Sequence, residues 1–129
     1  MAIQLDHLTI PCRDRNAAAK QLAELLGVPF GPARAGPFTS VYVSDSLTID
    51  FDEWTEPFAT GHYCFKVSQA EFDAILARIQ ATGLAFRSTP HGPVDRQVNT
   101  QHGGSIVYWS EPGGHHWELL TESYARLSK

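Results

Sequence analysis

One pattern of predicted elements occurs twice along the chain, and this repeat is the feature that restricts the fold most strongly. A short strand with His7 is followed by a helix that ends near Gly27, and a strand with His62 is followed by a helix that ends near Gly83. Each histidine lies about 20 residues before its glycine, the residue that most often ends a helix. The chain therefore reads as a βαβββ unit written twice.

Each copy of the repeat closes with a strand that carries one acidic residue between apolar neighbours. Asp50 takes this place in the first copy and Glu118 takes it in the second. The second copy is longer because it contains the polar loop 90–104. An acid among large apolar residues is costly unless it is paired, hydrogen-bonded or bound to a metal. Two histidines and two acids that recur in register are more than two amphipathic units would share by chance.

Alternating apolar residues, helix caps and turn residues place the elements of both copies. In the first copy we predict a strand over 5–12, a helix over 15–26 capped by Asp14, a weak edge strand within 28–37, and strands over 38–43 and 47–51. In the second we predict strands over 62–67, 84–88, 105–109 and 115–121, a helix opened by the capping box Ser68-Gln69-Ala70-Glu71, and an eight-residue tail or short helix at the end. The predicted fold class is α+β, a single domain with module one at about 1–58 and module two at about 59–129.

Composition and charge exclude several classes of protein. The 129 residues are 43% hydrophobic and 19% charged, as in an ordinary globular domain, and the net charge of −4 with no basic run argues against nucleic-acid binding. The first residues lack the pattern of a signal peptide, and no apolar run is long enough to span a membrane. We expect a cytoplasmic protein in which Cys12 and Cys64 are reduced.

Four polar residues lie on strands opposite the apolar faces, and we predict that they meet. They are His7, Asp50, His62 and Glu118. If the apolar faces carry the helices, these four face a concave inner surface, where two imidazoles with one or two carboxylates suit a divalent transition metal. Positions left open on such a metal would accept water or substrate. The plainer alternatives are a solvated histidine on each strand, and an Asp50 that is exposed or too short to reach a metal.

Three segments resemble the vicinal oxygen chelate superfamily, which includes glyoxalases, bleomycin-resistance proteins and extradiol dioxygenases. They are Leu-Asp-His-Leu-Thr-Ile at 5–10, Gly-His-Tyr-Cys-Phe-Lys-Val at 61–67 and Val-Tyr-Trp-Ser-Glu-Pro-Gly-Gly-His-His-Trp-Glu-Leu at 107–119. The last is the most specific, although its Glu-Pro-Gly-Gly turn departs mildly from the acid-Pro-acid-Gly pattern of the family. The resemblance implies paired βαβββ modules that form a curved mixed sheet around a central trough, with a metal in the trough.

The resemblance also implies residue roles. In the branches with three metal ligands, the matching residues are His7, His62 and Glu118. In the glyoxalase I branch a fourth carboxylate comes from the strand of Asp50, but that family has glutamate there. Fosfomycin-modifying transferases are matched at Thr9 and Tyr108, whereas loop 98–104 does not match their potassium and phosphonate loop. Extradiol dioxygenases often add a further His and Tyr, for which His102 and Tyr108 are candidates.

The first functional hypothesis is a metal-dependent enzyme that acts on a small molecule. The metal, which is Fe, Mn, Ni or Zn, would bind vicinal oxygens of the substrate and stabilise an enolate-like or alkoxide-like intermediate. Glu118 or Asp50 would act as general base, and Tyr108 would orient the substrate. His116 lies on the same face as Glu118 and is a candidate to support a ligand. The sequence leaves open whether the reaction is that of a lyase, an isomerase, a transferase or a dioxygenase.

The second hypothesis is a non-catalytic protein of the bleomycin-resistance type, which binds a small molecule or drug in the same trough. Trp54, Phe38 and Tyr42 are candidates to line that groove. The family resemblance also implies a homodimer. Both hypotheses expect a small-molecule partner and neither expects a nucleic acid or a membrane.

Overall fold

The computed structural model describes residues 3–126, which fall into two compact units: unit 1 ends at Ala59 and unit 2 begins at Thr60. The elements of unit 1 are β1 (His7–Cys12), α1 (Arg15–Leu26), β2 (Phe30–Pro32), β3 (Thr39–Ser44) and β4 (Leu47–Glu53). The elements of unit 2 are β5 (His62–Lys66), α2 (Gln69–Thr82), β6 (Ile106–Ser110) and β7 (His116–Leu120). That both units belong to one domain stays a prediction.

Unit 1 is a βαβββ module, and the predicted α+β fold class is confirmed. Its four strands form one mixed sheet in the order β1-β4-β3-β2, in which β1 runs parallel to β4 and the other pairs are antiparallel. The weak strand predicted within 28–37 is the three-residue β2 at the edge of this sheet. A short edge strand with a proline limits pairing with other chains.

Helix α1 begins and ends at the predicted residues. The Asp14 carboxylate accepts a hydrogen bond from the Ala17 backbone N–H, and Gly27 ends the helix in the left-handed conformation with φ of 74°. The core of unit 1 is apolar and fully buried; its members include Ile10, Leu22, Val41, Ile49 and Phe51. Because side chains alternate along a strand, burial of Ile49 and Phe51 places Asp50 on the opposite face of β4.

Unit 2 has a three-stranded sheet in the order β5-β7-β6, with β5 parallel to β7 and β6 antiparallel to it. The strand predicted over 84–88 is wrong, because this segment makes only an isolated bridge between Arg87 and Tyr108. The chain turns away after that bridge. Ser88 donates its backbone N–H and its hydroxyl to the carboxylate of Asp95, and Pro90 has no N–H to extend a ladder.

Helix α2 has the predicted capping box, in which Ser68 and Glu71 each accept a hydrogen bond from the other's backbone N–H. Its apolar residues Phe72, Ile75 and Ile79 are buried. Neither helix in residues 3–126 is long and apolar enough to span a bilayer. No helix follows β7 as far as residue 126, and the rest of the predicted tail, 127–129, lies outside the described residues.

Candidate metal centre

Polar side chains occupy two neighbouring rows on one face of the sheet in unit 2. Directly opposite residues of neighbouring strands share a face, so the strand register defines these rows. The first row contains Arg87, Tyr108, Glu118 and Cys64. The second row contains Ser110, His116 and His62. We call these seven residues the polar face of unit 2.

Glu118 is the buried acid at the centre of the polar face. Its side chain has no exposed surface, whereas that of His62 is 43% exposed. Nε2 of His62 lies 2.8 Å from Oε1 of Glu118 and donates a hydrogen bond to it. The hydroxyl of Tyr124 also donates to this carboxylate, at 2.8 Å from Oε1 and 2.6 Å from Oε2. These donors offset the cost of burying the carboxylate, and no buried side-chain polar atom among residues 3–126 is left without a partner.

The contact between His62 and Glu118 fits a divalent metal. Donor atoms bonded to one ion at about 2.1 Å and about 90° lie roughly 3 Å apart, close to the 2.8 Å between Nε2 and Oε1. Imidazole nitrogen and carboxylate oxygen are both ordinary ligands of transition metals. The ion would replace the proton that Nε2 now donates. Residues 3–126 contain no group of three or more histidine, cysteine, aspartate or glutamate side chains arranged to hold a metal, so this contact is a pair of donors.

The other groups next to Glu118 are neutral at physiological pH. Burial raises the pKa of Tyr108, and the charge of Glu118 raises it further, whereas the contact with Tyr124 lowers it. Burial, followed by the charge of Glu118 and a hydrogen bond to it, raises the pKa of the Cys64 thiol to about 12. Tyr108 and Cys64 therefore keep their protons and serve as hydrogen-bond donors beside the single carboxylate.

His116 is held in one tautomer in the second row. Nη2 of Arg87 donates to Nδ1 of His116 at 3.0 Å, and the Ser110 hydroxyl lies 3.1 Å from the same nitrogen. Burial lowers the pKa of His116, as does the charge of Arg87. A neutral imidazole whose Nδ1 accepts hydrogen bonds carries its proton on Nε2. His116 therefore presents an N–H donor, which agrees with a supporting role rather than with coordination through Nε2.

Unit 1 contains the other two predicted ligands. Nδ1 of His7 lies 2.7 Å from Oδ2 of Asp6, and this hydrogen bond and the charge of Asp6 raise the pKa of His7. A histidine that donates one ring nitrogen to a carboxylate leaves the other free to bind a metal. Asp50 accepts a hydrogen bond from the Ser40 hydroxyl at 2.5 Å. His7, Asp50, Ser40 and Tyr42 line a cavity of about 240 Å³ within unit 1.

The structure brings two of the predicted site residues into direct contact, and it adds two site residues that the sequence analysis did not name. It brings His62 and Glu118 into contact, with Tyr108 directly opposite Glu118, while the assignment of all four predicted ligands stays a prediction. Sequence reasoning missed Tyr124, for which neither periodicity nor spacing gave a signal. It also missed Arg87, although antiparallel pairing of segment 84–88 with β6 would have placed Arg87 opposite Tyr108.

Two solved structures are similar to this chain over nearly its whole length. Oxidase ChaP-H2 is 33% identical with a TM-score of 0.88, over 97% of this chain and 98% of that chain. Oxidase ChaP-H1 is 38% identical with a TM-score of 0.87, over 97% of this chain and 100% of that chain. The chain belongs to the vicinal oxygen chelate superfamily.

More distant members of the vicinal oxygen chelate superfamily share the fold alone. A glyoxylase/bleomycin resistance protein/dioxygenase domain from Frankia sp. EAN1pec is 19% identical with a TM-score of 0.69, over 98% of this chain and 96% of that chain. The family resemblance predicted from the sequence is confirmed by the two oxidase structures above 30% identity. No family model matches this vicinal oxygen chelate protein, and no curated protein sequence matches it.

Proposed function

We propose that this protein is a metal-dependent enzyme that oxidises a small molecule with two adjacent oxygen atoms. The observation that carries the proposal is the fully buried carboxylate of Glu118 in contact with Nε2 of His62. A buried acid facing an imidazole across 2.8 Å is stabilised further by a cation that binds both groups. The sequence repeat adds His7 and Asp50 to the ligand set.

The chain's own residues supply the remaining functions. A divalent metal bound there would act as a Lewis acid toward the substrate oxygens. Tyr108, kept protonated by its raised pKa, would donate a hydrogen bond to a substrate oxygen that gains negative charge. The Nε2–H of His116, fixed by Arg87, would be a second donor on the same face.

Oxidation is the reaction class that the similar structures favour. Two structures above 30% identity, which match nearly the whole chain, both carry the name oxidase. Structures named for fosfomycin resistance and for lactoylglutathione lyase are only 17–22% identical, and their likeness extends to the fold alone. We therefore propose an oxidase that uses dioxygen as oxidant, ahead of a lyase, isomerase or transferase.

Metal binding is tested first, by calorimetric titration of chelator-treated protein with Fe²⁺, Mn²⁺, Ni²⁺ and Zn²⁺. We expect Glu118→Gln and His62→Ala to weaken binding of the preferred ion by about 10-fold to 100-fold or more. Glu24→Gln, which neutralises an exposed acid on α1 of unit 1, is the matched control and should bind like the wild type. Asp50→Asn tests the fourth ligand: unchanged affinity in this variant would reduce the set to three residues.

Catalysis is tested with an oxygen electrode on metal-loaded protein and a panel of catechol, α-keto and hydroxyquinone compounds. We expect oxygen uptake that requires both metal and substrate and is lost in Glu118→Gln. Substrate consumption without oxygen uptake would contradict the oxidase assignment and leave the metal-dependent enzyme in place. Normal metal affinity in His62→Ala would contradict the proposed metal centre itself.

A non-catalytic binding protein is the second candidate. It is favoured by one observation, that residues 3–126 hold no group of three or more metal-ligating side chains. On this hypothesis a member of the compound panel raises the melting temperature in the presence of chelator, and no compound is consumed.

A further inference from the structure

Tyr124 occupies the space in front of the Glu118 carboxylate. Its hydroxyl oxygen lies 2.8 Å from Oε1 and 2.6 Å from Oε2, so it faces both oxygens almost symmetrically. Tyr124 belongs to segment 121–126, which follows β7, and its side chain reaches back to Glu118 on that strand. We call segment 121–126 the strap. The Tyr124 ring also contacts the ring of His102 in the long loop, with centroids 5.4 Å apart.

The hydroxyl of Tyr124 occupies carboxylate lone pairs that a metal bound to Glu118 would also use. A carboxylate binds a metal through the same lone pairs with which it accepts hydrogen bonds. Oε1 already accepts from both His62 and Tyr124, and Oε2 accepts from Tyr124. An ion bonded to Glu118 and to Nε2 of His62 would bring positive charge against the phenolic O–H. The hydroxyl and the ion therefore compete for one acceptor.

We propose that Tyr124 and the metal are alternative occupants of Glu118, so that the strap closes over the metal-free centre and is released when the metal binds. This inference rests on the proposed metal-dependent function. It gives the C-terminal segment a regulatory role: the centre is protected while it is empty, and loading with metal opens it.

The cavity beside Glu118 supports this role. It has a volume of about 170 Å³. Its lining includes His62, Cys64 and Glu118 of the sheet together with Ser123, Tyr124 and Arg126 of the strap. Sites for drug-sized ligands usually measure about 300–1,000 Å³. The cavity beside Glu118 is therefore smaller than the usual site for such a ligand. Release of the strap would remove one wall and enlarge the cavity, so that metal loading would precede substrate entry.

The first experiment measures Mn²⁺ affinity by calorimetry for the wild type, Tyr124→Phe and the control Tyr63→Phe. Tyr63 is on the same strand as His62 but its ring packs against Trp117, on the opposite face from Glu118. On this proposal the hydrogen bond from Tyr124 to the Glu118 carboxylate forms only without metal. Its whole free energy is therefore lost when the metal binds, and this loss opposes binding. We expect Tyr124→Phe to bind Mn²⁺ at least about tenfold more tightly than the wild type, and Tyr63→Phe to bind like the wild type.

Thermal melting separates competition from a purely structural role. We expect the melting temperature of Tyr124→Phe to fall below that of the wild type in chelator and to equal it at saturating Mn²⁺. A tyrosine that only stabilises the fold would lower both temperatures. A chain ending at Glu122, which lacks Tyr124 altogether, should repeat the affinity gain of Tyr124→Phe.

Limited trypsin digestion measures directly how accessible the strap is to protease. In the wild type we expect Mn²⁺ to speed cleavage after Arg126 while leaving cleavage after Arg78, within α2, unchanged. Suppose that the wild type binds Mn²⁺ and that Tyr124→Phe binds it equally well or more weakly. This result would contradict only the proposed role of the strap, and it would indicate that Tyr124 orients Glu118 for the metal. If Mn²⁺, Fe²⁺, Ni²⁺ and Zn²⁺ all fail to bind the wild type and both variants, the result contradicts both the proposed metal-dependent function and the proposed role of the strap.

Discussion

The contact between Arg87 and His116 allows the electrostatics of the polar face to be tested quantitatively. Arg87 is only 8% exposed, donates Nε and Nη2 to the Pro90 carbonyl at 3.1 and 2.8 Å, and makes no ion pair with an acid among residues 3–126. Arg87→Met keeps most of the length of the side chain but removes its charge and donors. The lost hydrogen bonds destabilise the fold, and removal of a buried charge partly offsets them. We expect a net cost of about 1–3 kcal/mol at pH 7.5.

The cost of Arg87→Met should depend on pH, with a sign that the pKa of His116 determines. Burial lowers this pKa, and the charge of Arg87 lowers it further. A histidine whose pKa is lower in the folded state contributes stability that is complete above the unfolded-state pKa and is lost as the pH falls. Without Arg87 the pKa of His116 rises toward its ordinary value, so the variant loses less stability on acidification. One proton changes the free energy by at most about 1.4 kcal/mol per pH unit.

Urea denaturation in chelator at pH 7.5 and pH 5.5 measures this difference. We expect the gap in unfolding free energy between the wild type and Arg87→Met to narrow by up to about 1 kcal/mol at the lower pH. An NMR titration should show the pKa of His116 rising in the variant. Lys20→Met, at an exposed position on α1, is the control and should show a small gap that does not change with pH. A gap for Arg87→Met that stays constant or widens on acidification would refute the reasoning.

Two further predictions concern groups next to the proposed ligands. The hydrogen bond of His7 with Asp6 and the charge of Asp6 raise the pKa of His7. Asp6→Asn should therefore lower the pKa of His7, as measured by an NMR titration. If His7 is a ligand, the same variant should bind the metal about tenfold more weakly. An unchanged pKa would show that the contact with Asp6 does not persist in solution. Part of Cys64 is accessible to solvent, but the burial of its thiol beside Glu118 raises the thiol pKa to about 12 and keeps it protonated. Iodoacetamide should therefore alkylate Cys64 slowly at pH 8 and faster in Glu118→Gln, as followed by mass spectrometry; rapid reaction of the wild type would contradict the assigned surroundings.

Local signals predicted the elements well, and non-local contacts account for the error. Caps such as Asp14 and the Ser68 capping box act within one helical turn, so the residues themselves determine where the helices begin. The alternation of apolar residues likewise gave the faces of the strands. Segment 84–88 has the composition of a strand, but the hydrogen bonds of Ser88 to Asp95 turn the chain away after Arg87. The contact between Ser88 and Asp95 lies within a polar loop, in which no periodic pattern of residues predicts it.

The candidate site likewise contains residues that local signals predict and residues that depend on non-local contacts. His62 and Glu118 were predictable because strand alternation places each opposite an apolar face, and the repeat marks both. Tyr124 lies beyond the last strand, in a turn whose path no periodicity determines, and its role depends on reaching back to a residue of β7. The tautomer of His116 likewise depends on Arg87, 29 residues earlier in the chain. Residues that act through such contacts are visible only once the chain is folded.

The two acids of the repeat differ by one methylene, and the strand register explains why this matters. Asp50 lies directly opposite Ser40 and diagonal to His7, since its partner on β1 is Thr9. Glu118 lies directly opposite Cys64 and diagonal to His62. Diagonal neighbours are about 7–8 Å apart, against about 5 Å for direct ones, so only the longer side chain spans the diagonal easily. Glu118 accordingly meets His62, and Asp50 binds Ser40. The glyoxalase I pattern has glutamate in the place of Asp50, and the shorter acid therefore weakens the fourth position of the proposed ligand set more than the other three.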